Sequence, residues 1–227
     1  MRKNDASLDR LDVLKEVFNF MSQQSEAIVL RKADCVLEST IEEDIDLLLS
    51  RSVENEFGIL LNKYGFKKRI DNRLFNTYLY GSEPHIHYIS VDMNLHFDIV
   101  YSVIHRSLWI ENFPGFSVTQ WLPLHQDIQD KIWRNRNYMQ HKGLKIPVLL
   151  PIFELLHIIC HVILDKRGVV SDYYSQRIYN LISEVDAKEL EIYLEKVFYA
   201  FASIIIDRCM SKELKSLYVD YISFKGY

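Results

Sequence analysis

The chain has 227 residues and a mass of 27.0 kDa, enough for one large domain or two small ones. Apolar residues make up 48% and charged residues 26%, which excludes disordered and fibrous classes. Seven scattered glycines rule out a G-x-G-x-x-G turn or a Walker-type phosphate loop, and a formal charge of -4 carries no strong nucleic-acid signal.

Ser7 is followed by Leu8, Leu11, Leu14, Phe18 and Met21 at helical spacing, so a helix is expected behind a serine cap. Ala27-Ile28-Val29-Leu30 is a short β-prone run ending at Arg31-Lys32, and 44–49 is a second strand. Ser52 opens a helix carrying Phe57, Leu60 and Leu61 that closes near Gly65. Residues 74–80 and 85–101 alternate as strands, joined by Gly81-Ser82-Glu83-Pro84. The turn signal at 112–115 marks the end of the β pattern, and helices are expected near 124–138, 152–165, 187–208 and 212–223. The fold class is therefore α+β. A mixed sheet with flanking helices fills 1–115, and a helical half fills 116–227.

Cys35, Cys160 and Cys209 form no C-x-x-C, so neither a zinc knuckle nor a disulfide framework is indicated, and a reducing, cytoplasmic setting is expected. The N-terminus has no apolar stretch of the signal-peptide kind. The most apolar window, 146–164, is interrupted by Pro147, Pro151, Glu154, His157 and His161 and reads as a buried helix with no membrane span.

Asp44 and Asp46 share one face of a strand, roughly 6.5 Å apart, while Ile45 and Leu47 face a core. Like charges on one strand face repel, and a divalent cation between them removes the penalty. A solvated acidic edge is the alternative. A later Asp in Leu95-His96-Phe97-Asp98-Ile99-Val100 has the same apolar flanks, which makes Asp98 the preferred third carboxylate, with Asp92 in reserve at a turn or bulge.

A helix, a strand, D-x-D on a second strand and a lone Asp on a later one resembles the polymerase-β-like nucleotidyltransferase superfamily. The nearer likeness is to uncharacterised bacterial members associated with surface-polysaccharide gene clusters. It runs through Ile28-Val29-Leu30-Arg31-Lys32, Asp44-Ile45-Asp46-Leu47-Leu48, the Asp98 strand, and 155–168. That superfamily carries Gly-Ser at the end of the first strand, where this chain has Arg31-Lys32, and Gly81-Ser82 comes after D-x-D. The resemblance implies Mg²⁺ or Mn²⁺ on Asp44, Asp46 and Asp98, an NTP as substrate, and a small-molecule or glycan-linked hydroxyl as acceptor. Arg31 or Lys32 would then hold phosphate, Arg31 better because of its planar fork. A catalytically silent nucleotidyltransferase-fold binding protein is the alternative.

Other signals are weaker. Glu154, His157 and His161 lie on one helical face with Cys160 beside them. Such a face can hold zinc, but structural histidines are the expected reading, as for His85, His87 and His96. Arg136 and His141 form an Arg-x-x-x-x-His pattern resembling the ribonuclease motif of HEPN helical domains. Trp109, Trp121 and Trp133 are expected as packing, and Lys67-Lys68-Arg69 as a solvated basic patch.

Overall fold

A computed structural model describes residues 9–70, 85–113 and 116–226. Ser7, the expected strand at 74–80 and its Gly81-Ser82 connection lie outside the described residues. The described residues form an α+β protein with a seven-stranded mixed sheet, a two-stranded sheet and a helical C-terminal region.

The first helix, α1 (Arg10–Gln23), starts at Asp9, whose carboxylate accepts from the Leu11 N–H at 3.1 Å. It leads to β1 (Ala27–Val29), a 3₁₀ turn at Ala33–Cys35, β2 (Ile45–Leu49), α2 (Arg51–Lys63) and β3 (Lys67–Ile70). The basic patch is thus a strand, exposed along its whole length at the sheet edge. Charged side chains on an edge discourage pairing with other chains.

Residues 85–101, expected as one strand, form a hairpin of β4 (Ile86–Ser90) and β5 (Leu95–Val100). The turn runs through Val91, Asp92, Met93 and Asn94, and Asn94 takes φ 50, a conformation asparagine tolerates. Alternating residue type continues through these four residues, so the pattern hides the reversal.

The β pattern also outlasts its expected end. Strands β6 (Ile104–Phe113) and β7 (Phe116–Pro123) pair antiparallel. Helix α3 (Gln126–Arg134) stops at Asn135, and the expected helical stretch to 138 gives way to β8 (Asn137–His141) and β9 (Leu144–Val148). Lys142 at φ 47 and Gly143 at φ 83 close that hairpin, the two positive φ values a type I′ turn requires. The remaining helices are α4 (Pro151–Cys160), extended by a π turn at His161–Asp165, then α5 (Asp172–Ile182), α6 (Ala187–Phe198), α7 (Ala202–Ser211) and α8 (Leu217–Ser223). Helix α5 is not among the helices expected from the sequence, although Ser171 caps it and Tyr174, Ile178 and Leu181 bury one face.

The chain divides into two compact units, neither contiguous, so a single cut after 115 differs from this division. The first draws its described residues from Met1–Asp71, His85–Tyr101 and Arg136–Val148. Its strand order is β3-β4-β5-β2-β1-β9-β8, with β2/β5 and β1/β9 parallel and the other pairs antiparallel. Val13, Leu14, Val17, Phe18 and Met21 of α1 and Val53, Phe57 and Leu61 of α2 close over one face of this sheet. Phe57 meets Tyr88 and Phe97 edge-on, at centroid distances of 6.2 and 5.9 Å. Ile45, Leu47 and Leu49 point into this core, leaving Asp46 on the opposite face.

The second unit draws its described residues from Ser102–Asn135 and Leu149–Tyr227. Helix α4 is apolar on all sides and central, with Phe153 and every residue from Leu155 to Cys160 buried. The Gln129 amide clasps the Val103 backbone, accepting from its N–H and donating to its carbonyl, both at 3.0 Å. Among the described residues no helix is long and apolar enough to cross a membrane.

Candidate functional site

Strands β2 and β5 run parallel in a register that sets Asp46 opposite Asp98. Asp44 sits just before β2, two residues from Asp46 and on the same side. One oxygen from each of Asp44, Asp46 and Asp98 lies within 4.8 Å of the others. Two strands distant in sequence thus bring the three predicted carboxylates together, and this is the sole metal-capable cluster among the described residues. Asp92 is exposed in the β4–β5 turn and outside the cluster.

The three carboxylates have different surroundings. Burial, then the charges of Asp46 and Asp98, push Asp44 up to about 6, against partial relief from His96 and Arg31. Asp46 takes a bidentate fork from Arg31, Nε to Oδ2 at 2.6 Å and Nη2 to Oδ1 at 2.9 Å. The two side chains are only 15% and 13% exposed, so water screens the pair little. Burial works to raise Asp98, but the hydrogen bond from His85 and the charges of His85, His87 and His96 outweigh it. Asp98 therefore stays below the ordinary carboxylate range.

His85, His87 and His96, expected as ordinary strand histidines, line up beside Asp98, and one carbonyl orders His96. His96 Nδ1 lies 3.3 Å from the Ile41 carbonyl oxygen, which can only accept, so Nδ1 carries the hydrogen. His96 Nε2 then lies within hydrogen-bond distance of His87 Nδ1, at 3.0 Å. The longer approach of His87 to Asp98, 3.5 Å, is secondary. His85 Nδ1 is left as the donor to Asp98, 3.2 Å from both oxygens. The signal for this row was visible. His87 pairs in register with Asp98, and His96 stands two residues before it.

Arg31 and Lys32, after β1, part company in the structure. Lys32 at φ 56 turns the chain away from β1 and reaches Glu43 at 3.9 Å, while Arg31 folds back over Asp46. Arg31 therefore belongs to the cluster, and the Lys32–Glu43 ion pair lies outside it. The donor set is all carboxylate oxygen with an excess of negative charge, which fits a hard divalent cation such as Mg²⁺ or Mn²⁺.

The other candidates lie apart from this chemistry. Glu154 takes a fork from Arg177 at 2.7 and 2.6 Å, and no cluster with His157, His161 and Cys160 forms among the described residues. His161 and His105 instead flank Asp165, at 2.8 and 3.3 Å, and the Arg106 N–H donates to the same carboxylate at 2.7 Å. Arg136 lies just before β8 and His141 at its end, so the Arg-x-x-x-x-His spacing falls on a strand, and Arg136 donates to the Gln24 carbonyl. Trp121 lies under the Arg106 guanidinium, 5.1 Å away. Comparisons with protein-family models, curated proteins and solved structures returned no match.

Proposed function

We propose that the chain is a metal-dependent nucleotidyltransferase, moving a nucleoside monophosphate from an NTP to a hydroxyl of a small-molecule or glycan-linked acceptor. The observation that carries this reading is the Asp44, Asp46 and Asp98 cluster, assembled by the parallel pairing of β2 with β5. Asp44, Asp46 and Asp98 would hold Mg²⁺ or Mn²⁺. When bound, the divalent ion supplies charge neutralisation and polarisation at the reacting phosphoryl group. Asp98, kept ionised and oriented by His85, serves as hydrogen-bond acceptor for the attacking hydroxyl. Arg31, released from Asp46, presents its fork to phosphate oxygens.

Incubation with each α-labelled NTP and Mg²⁺ or Mn²⁺ tests this reading. Pyrophosphate release and label transfer to cell-extract components are expected, and both should vanish in Asp44→Asn/Asp46→Asn. No release with any NTP would count against it. A second reading, a catalytically silent protein that binds nucleotide, is favoured by the Arg31 fork on both Asp46 oxygens. It predicts NTP binding without pyrophosphate release.

A further inference from the structure

We propose that Arg31 is a built-in counter-cation that competes with the divalent ion for Asp46 and must leave it before the site loads. The proposal rests on the reading of this cluster as a metal site, and it concerns how that site is regulated.

The cluster already holds one cation, the guanidinium. Arg31 donates through Nε and Nη2 to opposite oxygens of Asp46, so each oxygen already shares its negative charge with a cation. The backbone enforces the arrangement. Leu30 N–H donates to the Asp46 carbonyl at 3.0 Å, which fixes the root of Arg31 beside β2. The following residue, Lys32, then turns at φ 56 and carries the chain away, leaving the Arg31 side chain to fold back over its neighbour strand.

Two cations at one carboxylate repel, and at 13% exposure of the Asp46 side chain water does little to screen them. A guanidinium cannot shed its proton in a protein, so the block persists at any working pH and is lifted only by movement. The cost of metal loading is therefore the loss of a dry bidentate pair. An incoming phosphate is the natural second partner for the released fork. In this chain, the position that Gly-Ser fills in the superfamily carries the residue that closes the site.

The test is Mn²⁺ binding to the nucleotide-free protein, read by electron paramagnetic resonance, with circular dichroism as the check on folding. Arg31→Gln should bind Mn²⁺ about tenfold tighter than wild type or more. Arg31→Lys keeps the charge but loses the fork, and should fall between the two. Lys32→Gln removes the same charge one residue away and should leave the affinity within about twofold. If wild type binds Mn²⁺ and neither Arg31 variant binds it more tightly, the competition is overturned while the metal site stands. Equal gains in Arg31→Gln and Lys32→Gln, with none in Arg31→Lys, would reduce the effect to net charge and also overturn it. If no variant and no wild type binds Mn²⁺ at millimolar concentration, both the competition and the metal reading fall.

Discussion

Asp44 ionises near pH 6 in the folded chain against an ordinary value of 3.8, because burial and two neighbouring carboxylates disfavour its charge. Between about pH 4 and 6 the native state then holds a proton that the unfolded state has lost, so this group's contribution to stability falls as pH rises through that window. Above pH 6 the penalty is constant. Asp44→Asn should therefore stabilise the metal-free protein by about 1–2 kcal/mol at pH 8, a value reduced for partial solvent access, and by little at pH 4. Urea unfolding at both pH values checks this; a pH-independent difference would contradict the assignment. Asp98 differs from Asp92 in every respect that matters. On the proposed function, Asp98→Asn should cut turnover by orders of magnitude and Asp92→Asn should be mild, measured as kcat and KM for both. In the other unit, Asp165 is held far below its ordinary range. Burial opposes ionisation there, and the charges and hydrogen bonds of His105 and His161 overcome it. Stability from a depressed carboxyl is present above the unfolded value and lost as pH falls through the folded one. Asp165→Asn should thus cost about 3 kcal/mol at pH 7, as expected for breaking a buried charged network.

Single elements carry their own tests. Tyr199, between α6 and α7, has φ 51 and ψ -135, a region side chains avoid, and is 66% exposed, so little packing holds it there. Tyr199→Gly should stabilise the protein by about 1 kcal/mol, the relieved strain exceeding the entropy that glycine loses on folding. Gly168 is the opposite case. At φ +83, an added Cβ would stand 2.6 Å from Tyr218 Cβ, so Gly168→Ala should lower Tm by several degrees. These positions also show what a sequence conceals. The Asp44-Ile45-Asp46 strand was legible because apolar and acidic residues alternate with the period of a strand, α1 and α2 because their apolar stripes recur at helical spacing, and α4 because its apolar run is longer than a buried strand. The break at Tyr199 was not, since Leu190 to Phe198 and Ala202 to Cys209 keep that spacing on both sides of it. Strand β8 was hidden because it has no β-branched residue and opens on Asn137, so its conformation is set by pairing with β9. The Arg31–Asp46 pair was illegible for another reason. Glu38, Glu42 and Glu43 stand nearer to Arg31 in sequence, and only the antiparallel pairing of β1 with β2 selects Asp46.

At the scale of the whole molecule, sequence order and spatial order part company. The first unit is completed by β8 and β9, which follow the β6–β7 hairpin and α3 of the second unit in the chain. Leu144 and Ile146 of β9 are part of the buried core beneath α1, and Val148 pairs with Val29 at the parallel edge of β1. A fragment of residues 1–115 lacks that strand, exposes one edge of β1 and opens the core, so it should show no cooperative thermal transition by circular dichroism. The full chain, which carries both strands, should melt cooperatively. A cooperative melt of the fragment would show that the remaining five strands are a sufficient sheet.

The late arrival of β9 also has a consequence for synthesis. Roughly 120 residues separate Val29 from its partner Val148, an interval of about 6–24 s at ordinary translation rates. For that time the nascent chain presents β1 with one side unmatched, the condition in which chaperones or neighbouring nascent chains compete for an edge. The yield of native protein should therefore respond to how quickly residues 102–136 are translated, through synonymous codons that leave every side chain unchanged.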